Sequence, residues 1–238
     1  MCSRYAFSRG LGQLRRVVRI NRVNTNGHQF NPSNNIAPGS IAPVVSNQEI
    51  MLLSWGTQIL TNTVINARSE TVLTKFKKDI SDRRCVVPAD GYFEWNQDKQ
   101  PYFFHNLNKD DMMFLAAFYN ERGEFVILTR EASKQVAKIH KRMPIILTIQ
   151  QIEIWEGQNW NSILSDNSPK ISFYPVSRLS LRHGYTGIEC ITPIKIEGKV
   201  QISLLDMLKQ NENKIKIEEI KDDSNQKQKT DDIKSKKE

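Results

Sequence analysis

Between positions 41 and 129 the apolar residues come in seven short runs: 41–45, 50–55, 85–88, 92–95, 102–104, 112–119 and 125–129. Each is of strand length, rich in β-branched and aromatic residues, and bounded by Gly, Pro, Asn or Asp. The spacing leaves no regular room for the helices that alternate with strands in a parallel α/β chain. Helical spacing is confined to residues 11–23 (LGQLRRVVRINRV), 131–140 (EASKQVAKIH) and 150–164, which carries Trp155. Residues 24–35 read as a loop, and 144–149 and 171–176 as late strands. The expected fold is α+β, with a mainly antiparallel sheet and flanking helices. Asp90-Gly91 marks a tight turn between two strands. From residue 209 the chain has no aromatic residue and is almost wholly polar, so it cannot bury enough surface to order itself. The expected division is a domain over 1–208 and a disordered tail over 209–238.

The net charge is +8, and its placement is uneven. Residues 1–48 carry Arg4, Arg9, Arg15, Arg16, Arg19 and Arg22 and no Asp, Glu or Lys. A field of one sign attracts polyanions, and arginine is the better fork for phosphate. An Arg-rich, acid-free start also fits an organellar transit peptide, whose removal would discard Cys2. Cys2, Cys85 and Cys190 form no CxxC pair, so neither a zinc site nor a disulfide framework is expected. No apolar run approaches the ~20 residues of a membrane span. An intracellular protein follows, cytoplasmic, nucleoid-associated or nuclear, with no membrane partner, no metal and no cofactor.

The chain opens Met1-Cys2-Ser3-Arg4. Methionine aminopeptidases remove Met1 before a small residue such as Cys2. The new first residue then carries an amine and a thiol together. The amine condenses with an aldehyde to an imine, and the thiol closes on the same carbon as a thiazolidine. The amine titrates at about 7.7–8.0 and the thiol at about 8.5, so both have a reactive fraction near neutrality.

Such a residue needs proton transfer, an anchor for its amine, and cations for flanking phosphates. Asn66-Ala67-Arg68-Ser69-Glu70 places an amide and an arginine on one side of an extended segment, or forms an ordinary turn. Glu94 lies between Phe93 and Trp95: alternation with Tyr92 and Asn96 leaves it either solvent-facing or desolvated as an acid/base. His140 and Arg142 sit where a helix meets a strand opened by Pro144. There the histidine either transfers protons or caps the helix dipole.

In order, these pieces resemble the SOS-response-associated peptidase family, also called abasic-site processing proteins. The resemblance runs to about residue 195. It rests on MCxR at 1–4, N-x-A-P at 35–38, Trp55-Gly56, NARxE at 66–70, RRC-x-x-PADG-x-x-EW at 83–95, Pro-Tyr-Phe at 101–103, IHxRMP at 139–144 and YPVS at 174–177. It implies a single domain with barrel-like sheet packing. It also implies that the mature Cys2 captures the aldehyde of an abasic site in single-stranded DNA. Asn66 would orient the Cys2 amine, Glu94 serve as acid/base, and His140 assist proton transfer. Arg4, Arg68 and Arg142 would hold phosphates, and Trp55 would stack on or wedge between bases unless it is a core residue. The implied protein is a monomer with lyase-like crosslinking activity. The family name leaves two alternatives: a cysteine peptidase using Cys2, Glu94 and His140, and a noncatalytic DNA-binding module. Two departures stand out. Ser3 replaces the family's usual glycine, and the stretch after Trp55 lacks the usual proline and second tryptophan.

Overall fold

Strand propensity and burial on both faces of the main strands turn the short apolar runs into a sheet-rich domain with few helices. In the computed structural model, residues 2–164, 170–178, 181–182 and 184–196 are described. The chain begins with β1 (Arg4–Phe7), α1 (Leu11–Val18), β2 (Arg22–Asn24), β3 (Ser33–Ile36), β4 (Ile41–Ser46) and β5 (Glu49–Trp55). A small hairpin, β6 (Thr57–Ile59) and β7 (Asn62–Val64), leads to β8 (Asn66–Arg68) and two short helices, α2 (Val72–Lys75) and α3 (Lys77–Asp82). Then come β9 (Arg84–Ala89), β10 (Gly91–Trp95), β11 (Pro101–Asn106), β12 (Met113–Tyr119) and β13 (Glu124–Glu131). β14 (Arg142–Pro144), β15 (Ile146–Leu147), α4 (Ile149–Glu156) and β16 (Ile171–Pro175) follow.

Two large sheets result. One runs β16-β11-β10-β1-β3, and the other β14-β13-β12-β9-β4-β5-β2, with β15 and β8 paired at its side. An added parallel pairing of β13 with β5 turns the second sheet back on itself, giving it a ring-like part. Most pairs are antiparallel; β13–β5, β13–β8 and β2–β5 are parallel. The core includes Phe7, Trp55, Tyr92, Phe104, Phe118 and Phe125, all essentially inaccessible.

Several local expectations change. Asp90-Gly91 does not close a hairpin: it carries the chain from the second sheet into the first. The Asp90 carboxylate accepts from Ser8 N–H and Oγ–H and pairs with Arg9 at 2.8 Å, while its own N–H donates to the Ala6 carbonyl. A side chain on Gly91 would strike the Phe104 carbonyl and the Phe103 ring, so only glycine lets β10 lie this close to β11. The helix expected over 11–23 stops at Val18, where Arg19 turns left-handed at φ 57°. The loop expected over 24–35 ends in β3. The helix expected over 131–140 is only a 3-10 turn at Val136–Lys138. Cross-strand pairing of Arg130 with Met143 and Glu131 with Arg142 holds its start in β13. Pro144 ends β14 instead of opening a strand. Arg84 fastens α4: its guanidinium donates to the carbonyls of Trp155, Glu156 and Gly157 and stands 5.0 Å above the Trp160 ring. The boundary near 208 and the polar stretch 209–238 lie outside the described residues.

Candidate active site

Residues far apart in sequence converge where the two sheets meet. Cys2 precedes β1, Asn66 opens β8, Glu94 lies in β10, and His140 lies between the 3-10 turn and β14. The pairing of Arg4 with Phe93 sets the amino end of β1 beside the far end of β10. Parallel pairing of β8 with β13, and antiparallel pairing of β14 with β13, puts Asn66 on one strand flanking β13 and His140 two residues before the other.

Cys2 is fully buried. The Asn66 amide nitrogen donates to its carbonyl oxygen at 2.7 Å. Only nitrogen can donate there, so the contact fixes the amide's orientation. Asn66 Oδ1 is then a buried acceptor with no hydrogen-bond partner among the described residues. The amide thus anchors the Cys2 carbonyl, where the resemblance implied the amine. The Cys2 thiol lies 3.6 Å from the Arg4 carbonyl. Burial, and then the Glu94 carboxylate, push the thiol well above its ordinary value. The resting group is therefore S–H, which corrects the partly ionised thiol expected from an exposed terminus.

Glu94 is 1% exposed, which resolves its facing: it belongs to the interior. Desolvation raises its carboxyl above the usual range, opposed in part by nearby positive charge that includes His140. His140 Nδ1 is 3.7 Å from Glu94 Oε1. The same nitrogen lies 3.1 Å from the Arg142 N–H and 3.0 Å from the Arg142 carbonyl. With a proton it can donate to the carbonyl, and without one it can accept from the N–H. The ring can therefore exchange a proton and keep its anchor.

The raised Glu94 value has a measurable sign. A carboxyl whose folded value exceeds its unfolded value contributes stability that is fully present below about 4.5 and is lost as pH climbs through the raised value. Glu94→Gln should therefore melt above the parent at pH 7–8, by about 2–4 °C for each kcal/mol of relief. The gain should vanish toward pH 4. Thermal melts across that range check this, and a constant difference at every pH would refute the buried carboxyl.

The expected phosphate ligands fare differently. Arg4 donates to Asn35 Oδ1 at 2.8 Å, and Asn35 in turn donates to the Arg182 and Tyr185 carbonyls. Arg68 is exposed, next to the buried Ala67. The Arg142 fork clasps both Glu70 oxygens, at 2.6 and 3.0 Å, and the Thr129 carbonyl at 2.7 Å. That pairing holds the Glu70 carboxyl below its usual range. Trp55 is a correction. It is fully buried, its ring 5.2 Å from Tyr5 and 6.3 Å from Phe125, and its indole N–H donates to the Ile65 carbonyl. It offers no face to a base. Glu70, Asn35, Tyr5 and Tyr92 were given no role by the sequence. Asn35 and Glu70 left a trace in the N-x-A-P and NARxE motifs and Tyr92 in its alternation with Glu94; Tyr5 left none.

The family model for the SOS response associated peptidase (SRAP) matches residues 1–179. The chain belongs to the SRAP family. It is 28% identical to the abasic site processing protein HMCES of Gallus gallus, an alignment covering 82% of this chain and 79% of that one. It is 27% identical to YobE of Bacillus subtilis (65% and 81% covered) and 31% identical to YedK of Escherichia coli (55% and 68%), both abasic site processing proteins. A solved structure from Bacteroides thetaiotaomicron shares the SRAP chain's fold, with a TM-score of 0.70 at 19% identity over 82% of this chain and all of the other.

Proposed function

We propose that this SRAP protein processes abasic sites in single-stranded DNA, capturing the sugar aldehyde through Cys2 as its first residue. The observation that carries the reading is the meeting of two pairs, Asn66 on the Cys2 carbonyl at 2.7 Å and His140 beside Glu94 at 3.7 Å, with the Glu94 carboxylate near enough to push the Cys2 thiol up. Relatives named as abasic site processing proteins support it.

The chemistry balances without a cofactor. The Cys2 amine adds to the aldehyde carbon, and Glu94 protonates the departing hydroxyl, so that water leaves, a protonated imine remains and Glu94 is a carboxylate. The Cys2 thiol gives its proton to Glu94, and sulfur adds to the imine carbon. The C=N electrons pass to the protonated nitrogen, which becomes the neutral ring amine, and Glu94 ends protonated as it began. Burial keeps Glu94 a ready acid for the first transfer and a strong enough base for the second. Asn66 fixes the Cys2 backbone, and its unpartnered Oδ1 can accept from the amine. His140 supports Glu94 through the 3.7 Å contact.

Abasic DNA has no base to read at the lesion, so recognition falls on phosphate and aldehyde. Arg4, Arg68 and Arg142 are the proposed phosphate contacts, which makes binding salt-sensitive and largely sequence-independent. The protein acts as a monomer, where the cell's DNA is. Protein lacking Met1, mixed with single-stranded DNA bearing one abasic site, should give a band that survives a denaturing gel. Its intact mass should equal protein plus DNA minus one water. No adduct, with Met1 shown to be absent, would reject the reading.

Glu70 stands where a phosphate would engage the Arg142 fork. Glu70→Gln removes that competitor and should tighten single-stranded DNA binding by about two- to fivefold at low salt, the scale of a half-exposed ion pair. Weaker binding in a titration would show instead that Glu70 is needed to aim Arg142.

A further inference from the structure

Tyr5 and Tyr92 face each other directly across the β1–β10 pair. Directly opposed residues in an antiparallel pair project from the same face of the sheet, and Glu94, two residues along β10, shares that face. Both tyrosines are fully buried. Their rings are well packed: Tyr5 lies edge-on to Trp55, and Tyr92 stacks on Phe104 at 4.9 Å. Yet neither hydroxyl has a hydrogen-bond partner among the described residues. An unpartnered buried hydroxyl is destabilising, so two of them on paired residues of the face that carries Glu94 call for an explanation.

The Cys2 sulfur supplies one. Its S–H points to the Arg4 carbonyl at rest. Once that proton leaves, the carbonyl has nothing to offer a negative sulfur, and Glu94 holds a single O–H, the proton it has just taken. We propose that the hydroxyls of Tyr5 and Tyr92 form a paired donor site for the Cys2 sulfur, holding the negative charge that develops there before it closes on the imine. Both are positioning residues: they act through sulfur and do not touch the DNA. The assignment rests on the capture reading for its role in the reaction, but the donor pair itself is a property of the folded protein.

The surroundings agree. Among the described residues, the titratable groups coupled electrostatically to the sulfur are Tyr5 from β1 and Glu94 and Tyr92 from β10. His140 reaches it only by way of Glu94. Burial keeps both phenols protonated, with Cys2 adding to the effect at each and Glu94 at Tyr92. They are therefore neutral O–H donors throughout the working range.

Tyr5→Phe and Tyr92→Phe each remove one oxygen that bonds to nothing in the resting protein. Both variants should fold, with a melting temperature equal to or above the parent's. Two readouts then separate the donor pair from the capture reading. In the first, iodoacetamide alkylation of Cys2 is followed by peptide mass spectrometry against pH in protein lacking Met1 and free of DNA. Each variant should slow about tenfold or more at pH 7.5, with the midpoint moved to higher pH. In the second, each variant is mixed with abasic single-stranded DNA. Borohydride-trapped imine should form at the parental rate, because that step uses the amine, while thiazolidine closure slows. Unchanged alkylation profiles and closure rates in both variants would overturn the donor pair. If the alkylation shift appears but the parent gives no Cys2-dependent adduct, the donor pair stands and the capture reading falls.

Discussion

Cys2→Ser, freed of Met1, is expected to lose the denaturation-resistant adduct with abasic single-stranded DNA altogether. It should keep reversible affinity for the same DNA within about twofold, the size of a surface change that leaves phosphate contacts in place. Serine retains the amine, so a borohydride-trapped imine should still form. What disappears is ring closure, because a hydroxyl in that buried position is a far weaker nucleophile than sulfur. The substitution replaces one fully buried small group with another, and the Asn66 contact to the residue 2 carbonyl does not involve the side chain. Folding should be little affected, and a melt run beside the gel confirms it. Persistence of a denaturation-resistant band without borohydride would mean that some other nucleophile captures the sugar. A charge-reversing change at Arg68, by contrast, should weaken binding and leave the chemistry of any captured strand intact.

Trp55→Ala should be among the most damaging single changes in the protein. The indole is fully buried, lies parallel to Phe125 within 6°, meets Tyr5 edge-on and satisfies the Ile65 carbonyl. Truncating a buried tryptophan costs about 3–5 kcal/mol. In a domain of this size that lowers the melting temperature by about 6–20 °C. The loss should reach the site, because Tyr5 leans on the same ring. Urea or thermal unfolding tests it. A variant with the parent's melting temperature and reduced DNA affinity would restore the stacking role that the sequence allowed.

The strands were legible because their apolar runs are short and sharply bounded; each run from 41–45 to 125–129 lies within or overlaps a strand. The collinear motifs pointed to Cys2, Asn66, Glu94 and His140, and the structure brings these four together. The facing of Glu94 was not legible. Alternation along β10 is ambiguous when both faces of a strand are covered, and Tyr92, Phe93 and Glu94 are all buried. Asp90-Gly91 had the composition of a hairpin turn, but what decides its geometry is the close passage of β11, a distant segment. Residues 131–140 carried helical spacing that pairing with β14 overrode. Arg142 offered a phosphate fork in sequence, and nothing there revealed that Glu70 already fills it. The tyrosine hydroxyls were invisible for a simpler reason: a missing partner leaves no mark in a sequence.

The place of β1 between β3 and β10 has a consequence for how the protein is made. β1 cannot be enclosed on both sides until residues 91–95 emerge from the ribosome. At about 5–20 residues per second, roughly five to twenty seconds of translation separate the two. During that interval the amino end has at most β3 beside it, and co-translational aminopeptidases can reach it. Insertion of β1 beside β10 then encloses Cys2, so under the proposed capture chemistry the Cys2 amine has to be freed before that sheet forms.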